Sequence, residues 1–339
     1  MDTLLFALNA VLPLLLMIGL GYILSRTRFL GEEFWPCANR FVFRIALPCL
    51  LFYTVYSASG LQDIRWNVVL YASAGVLVLF VIGFLVAMFF VKDPTQKGVI
   101  NQGVFRSNMT IIGVPLAEAL GGADAVLVVA LVSLVIIPLY NALSVIALSV
   151  FLRGEDGEKV PWIKVLLKIL SNPLIIAIVL GILSLYIRSL IPVFASTGEP
   201  VFSLKNDLTF LYTCIKWLGQ IASPLALVVL GGGFQFAQVR AMKREITLGV
   251  LLRTIMAPGL MLTLAVILAK YTTFFAFEST DYPALIATFG SPVAVVSAIM
   301  ASEMKNDGKL AGQIVVWSSL FSIPAIFLIV VIYRTLGLL

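Results

Sequence analysis

Arg106, Ser107, Asn108, Met109, Thr110, Gly113, Pro115 and Glu118 crowd polar and helix-breaking residues into one otherwise apolar run. Their chemistry suits an anion. An amide donates two hydrogen bonds without carrying charge, a guanidinium adds attraction, and a helix that starts in mid-run presents free N–H groups at its positive pole. Pro115 removes a backbone donor and clashes with the preceding turn, while Ser107, Asn108 and Thr110 compete for backbone hydrogen bonds. A break over 108–115 is therefore expected. A second run, from Phe289 to Glu303, places Ser291, Pro292 and Val293 inside the uncharged stretch Tyr282 to Ser302 and predicts another break over 290–293. In lipid, irregular backbone persists only where protein buries it or a watery cavity receives it, and in secondary transporters paired interruptions mark the substrate site. For either run alone, an ordinary proline kink is the plainer alternative.

The two runs occupy matching places in two halves. Pro48 precedes Pro115 by 67 residues and Pro224 precedes Pro292 by 68. Pro13 and Pro173 each precede a glycine by eight, Gly21 and Gly181, and the stretch Ser133 to Pro138 resembles Ser319 to Pro324. Several coincidences in one order point to an internal repeat.

The elements that must position these residues follow from composition. With 61% hydrophobic residues, 12% charged residues and a mean hydropathy of +1.07, the chain has too little polar surface for water and reads as an all-α polytopic membrane protein. The net charge of +6 fits basic loops and needs no nucleic acid. Cys37, Cys49 and Cys214 lack metal-ligand spacing, the chain has no histidine, and the three read as small packing residues. No resident cofactor is expected. The first apolar run lacks a basic leader and a small-residue cleavage site, so it reads as a retained helix. Apolar runs near 3–25, 40–60, 67–91, 98–120, 124–152, 166–188, 208–237, 244–269, 283–303 and 309–335 predict ten transmembrane helices.

Residues 1–152 would form one five-helix repeat, 153–162 a cytoplasmic linker and 163–339 the second repeat. Fourteen basic residues fall in the odd-numbered loops and five in the even-numbered loops and C-terminus, which places the odd loops in the cytoplasm and both termini outside. An odd number of spans per half turns the second repeat upside down, so the broken fourth and ninth helices would cross near mid-membrane. Glu118 could take a proton, help bind a cation, or sit at the outer interface. Arg106 could face the cavity or snorkel to the surface, and Asn141 could line the cavity or bond across helices. Arg44, Lys216, Arg253 and Glu303 read as interfacial. Without histidine or paired carboxylates inside the membrane, an enzyme would lack reagents.

Asn108 with Gly113, Val114, Pro115 and Leu116, and Pro292 with Ala301, Glu303, Asn306, Asp307 and the run Ser319 to Pro324, resemble the auxin efflux carrier family. The family includes plant carriers and bacterial carriers associated with malonate, malate and similar acids. The resemblance implies a fold of the bile acid/sodium symporter type, with two inverted five-helix repeats, helices crossing at Pro115 and Pro292, and a homodimer in the cell membrane. It implies a small organic anion as substrate and Asn108 as a ligand of its carboxylate. Met109, Thr110, Gly113, Pro115, Ser291, Pro292 and Val293 complete the expected substrate-binding set. Glu118, Arg106 and Asn141 are the candidates for coupling to H⁺ or Na⁺ or for lining the cavity. A membrane-embedded sensor that keeps the carrier fold is the competing function.

Overall fold

The computed structural model describes residues 2–57, 65–152, 171–191, 202–234 and 236–339; most of the expected linker and its Lys159 lie outside them. In chain order the helices are α1 Asp2–Arg26, α2 Phe34–Tyr56, α3 Trp66–Phe90, α4 Pro94–Phe105, α5 Val114–Val150, α6 Pro173–Leu190 and α7 Thr209–Gly232. After the short turn Phe236–Ala241 come α8 Lys243–Tyr271, α9 Asp281–Gly290, α10 Val296–Glu303 and α11 Gly308–Thr335. No strand occurs among the described residues. Six helices are long and apolar enough to cross a membrane: α2, α3, α5 from Asp124, α7, α8 and α11. The fourth and ninth apolar runs are absent from that set because each is cut into pieces too short to span alone.

The cuts differ slightly from those expected. Regular helix stops at Phe105, Arg106 and Asn108 leave helical geometry, and a π turn over Met109–Gly113 leads into α5. Pro115 therefore sits in the first turn of α5, directly after the π turn, and the break in helical geometry at Arg106 and Asn108 falls about two turns before Pro115 itself. At the second cut Ser291 is extended, with ψ 149°, the conformation a following proline imposes. Two further π turns, Val42–Ala46 in α2 and Leu252–Met256 in α8, precede Pro48 and Pro258, where the helix must accommodate a residue without an N–H. Gly122, at φ 64°, separates the start of α5 from its long span.

Helix α1 packs on α7, and α6 packs on α2. In lipid, apolar side chains gain little by leaving the solvent, so close backbone approach must hold such pairs together. A Cβ on Gly21 would lie 2.0 Å from the Val228 carbonyl oxygen, and one on Gly231 would lie 1.9 Å from that of Ile18. A Cβ on Gly181 of α6 would instead meet the Val55 side chain of α2, at 2.9 Å. Polar contacts tie the helix ends into two rims. Asn39 donates to Glu303 at 2.6 Å, Gln96 to Asp307 at 3.0 Å and Asn306 to the Leu148 carbonyl at 2.8 Å. At the other rim Arg65 pairs with Glu278 and Asp281, and its hydrogen bond and charge hold the Glu278 carboxyl below its ordinary value.

The α1–α7 contact makes a direct prediction. Gly231→Val should lower the unfolding midpoint in detergent by the ~1–3 kcal/mol typical of overpacking. Gly19→Val, with nothing within 4 Å of its Cβ, should leave the midpoint unchanged.

Candidate functional site

The two interrupted segments meet. The Asn108 N–H donates to the Pro292 carbonyl at 2.8 Å, Ala294 N–H to the Arg106 carbonyl at 3.4 Å, and Ser107 and Val293 form an isolated antiparallel bridge. Interrupted helices leave backbone groups without partners, and here each strand-like stretch supplies partners for the other. Ser318 of α11 adds its hydroxyl oxygen as acceptor for Val293 N–H, at 3.2 Å.

Two arginines flank the junction. Arg253, in the π turn of α8, is fully buried and donates only to backbone carbonyls. Its Nε reaches Ser291 at 2.8 Å, Nη1 reaches Val104 at 3.1 Å and Phe105 at 3.4 Å, and Nη2 reaches Thr288 at 3.0 Å. It was expected at a membrane interface. The structure corrects this, because the last carbonyls of α4 and α9 converge at mid-run and offer its planar fork four acceptors that headgroups cannot match. Arg106 is also buried, at 5% exposure, and does not snorkel. Its Nη1 donates to Ser144 Oγ at 2.7 Å and contacts Met300 Sδ, and its Nη2 donates to Asn141 Oδ1 at 2.9 Å. Among the described residues, the ion pairs are those of Arg65, so neither buried guanidinium faces a carboxylate.

A cavity of about 90 Å³ opens beside Arg106. Its polar wall is Arg106, Ser107, Asn108, Tyr140 and Asn141, with Thr54 and Ser223 contributed by α2 and α7, and its apolar wall comes chiefly from Leu47, Leu50 and Leu51 of α2. Asn108 is 5% exposed, and among the described residues its side-chain nitrogen has no hydrogen-bond partner. A buried amide donor left unmatched costs about 1–3 kcal/mol, which a ligand acceptor in the cavity would recover. The Tyr140 hydroxyl donates to the Thr288 carbonyl at 3.2 Å and lies 3.0 Å from Ser107 Oγ, joining both cuts to α5. A larger cavity of about 240 Å³ is bounded by Asn39, Ser302, Lys309 and Gln313. Helix α10 borders both, through Val296 on the first and Ala298, Ile299 and Ser302 on the second.

Of the residues expected at the site, Arg106, Asn108, Met109 and Asn141 line the smaller cavity together. Asn141 also donates to its own helix, to the Ile137 carbonyl at 2.8 Å. Pro292 and Val293 contribute backbone to the junction, and Ser291 is buried with its carbonyl on Arg253. Gly113 is instead a packing residue, since a Cβ there would come within 2.8 Å of Ala287 on α9. Glu118 is exposed and stands apart from the cavity lining. The side chains of Thr110 and Pro115 lie outside those described. Sequence reasoning missed Tyr140, Ser144 and Arg253. Ser144 stands one turn from both Tyr140 and Asn141, at i+4 and i+3 spacing, and Arg253 is a charge inside an apolar run, where function is the default expectation.

A family model described as membrane transport protein matches residues 6–330. The chain belongs to that family, the auxin efflux carriers. A Methanothermobacter thermautotrophicus protein described as an uncharacterized transporter is 23% identical over 324 residues, covering 94% of this chain and 95% of the relative. This is a multi-pass membrane protein of a transporter family, and the cavity lies at its helix junction.

The tyrosine link can be tested alone. Tyr140→Phe keeps the ring and removes both junction contacts, so the protein should unfold at a lower denaturant or temperature midpoint. The expected loss is about 1–3 kcal/mol. An unchanged midpoint would show that the hydroxyl does not hold the junction.

Proposed function

We propose that this protein is a secondary carrier of small organic anions, binding the carboxylate at the junction of its two interrupted helices and releasing it by alternating access. The observation that carries the reading is the partnerless donor of Asn108 beside buried Arg106, in a cavity whose described lining residues include no acid. The π turn that starts at Met109 and the start of α10 at Val296 add two positive helix poles near the same space. An uncompensated positive region in a low-dielectric interior selects anions by charge before any contact is made.

Two inverted five-helix repeats account for the packing. In this reading the first helix of each half lies on the second helix of the other half, α1 on α7 and α6 on α2. The matched glycines Gly21 and Gly181 fall at these two contacts. Leu47 and Leu50 beside Pro48, and Ser223 beside Pro224, reach the cavity from the corresponding helices α2 and α7. The odd loops and their basic residues then lie in the cytoplasm, with both termini outside. A homodimer accords with the family resemblance.

Thermal-shift and equilibrium titration of the purified protein against mono- and dicarboxylates test the site. Asn108→Ala should weaken the best acid ten- to a hundredfold, which is about 1.5–3 kcal/mol for one hydrogen bond to a charged group. Affinity unchanged within about twofold, in a variant that folds normally, would remove Asn108 from the site. Orientation has its own test: a cysteine at Lys243 should resist membrane-impermeant maleimide in intact cells, and strong labelling would invert the topology.

A further inference from the structure

Carriers built on interrupted helices must deal with both kinds of helix pole. The N-terminal poles face the anion, while the C-terminal poles and the unwound carbonyls beside them form an electronegative pocket that commonly holds the coupling cation. In this protein the second pocket is already filled. Val104 and Phe105 close α4, Thr288 belongs to the last turn of α9, and Ser291 follows it. Their four carbonyls are the acceptors of Arg253, whose Nε, Nη1 and Nη2 are all engaged while the side chain is fully buried. Each helix C-terminus carries about half a negative charge. Two such poles balance one guanidinium.

We propose that Arg253 is a tethered counter-cation standing where a mobile one would otherwise bind, and that the carrier moves its anion without binding Na⁺ at the helix junction. The charge pattern divides accordingly. On the Arg253 side the poles are neutralised permanently, by a residue that cannot dissociate during turnover. On the Asn108 side Arg106 and two positive poles have no acidic partner, so the anion itself completes the balance. Arg253 bonds both α4 and α9, so it also makes the two interrupted helices one electrostatic unit. A dissociable Na⁺ would separate them once per cycle. The residue acts by positioning carbonyls and does not touch the substrate cavity, whose lining excludes it.

The test uses the full-length protein in lipid nanodiscs with no organic anion present. This inference rests on the carrier reading, but a sodium measurement without anion can fail while leaving the Asn108 site intact. Wild-type protein should show no saturable binding of radioactive Na⁺, and the same unfolding midpoint in sodium chloride as in choline chloride. Arg253→Ala should lose at least about 5 °C in choline chloride. Millimolar guanidinium chloride should restore part of that loss while leaving wild type unchanged, because the free ion fits the vacated carbonyls. Saturable Na⁺ binding to wild type would overturn the proposal, whether or not Arg253→Ala folds. A folded Arg253→Ala that keeps the wild-type midpoint, or that ignores added guanidinium, would overturn it too.

Discussion

Four backbone carbonyls, left over where two helices stop inside the protein, converge on the guanidinium of Arg253. In a lipid-surrounded interior each unmatched carbonyl would cost several kcal/mol, and an unmatched buried cation would cost more. Each is tolerable only because of the other. The interrupted helices could not end where they do without a donor cluster of this shape, and Arg253 could not be fully buried without their ends. The antiparallel bridge of Ser107 with Val293 and the hydroxyl of Tyr140 complete the same account of partners.

This junction explains why the polar chemistry lies on one side. With the C-terminal poles satisfied by Arg253, the N-terminal poles and Arg106 are left facing the cavity. Arg106 is held by neutral oxygens of Ser144 and Asn141, which fix the plane of its guanidinium without cancelling its charge. Asn108 supplies a donor that the protein does not use. Neutral donors of that kind orient a carboxylate without the depth of a direct ion pair in low dielectric.

The surrounding helices make the junction possible by packing at backbone distance. Gly21 against Val228, and Gly231 against Ile18, bring α1 and α7 together without side chains between them. Such contacts tolerate no added methyl group. Asn39 with Glu303, and Asn306 with the Leu148 carbonyl, tie the rim beside α10, which also borders both cavities. Motion of α10 would therefore be felt in both cavities.

Much of this was legible in the sequence because it depends on local covalent facts. Apolar run length decides what can lie in a membrane, and proline decides where a helix cannot continue, so both interruptions and the nearness of Asn108 to one of them follow from residue type and order. Each of the six membrane-length helices overlaps an apolar run read from the chain, with ends that differ by up to six residues. What residue order could not decide is which groups face one another across the fold. Arg253 and Arg44 are both isolated charges in apolar runs, yet one is fully buried and the other is exposed. Gly113 stands beside Asn108 in sequence but packs on Ala287. Only tertiary structure assigns those roles, because a buried charge survives where carbonyls from distant segments happen to converge, and that convergence is a property of helix packing and not of any one segment.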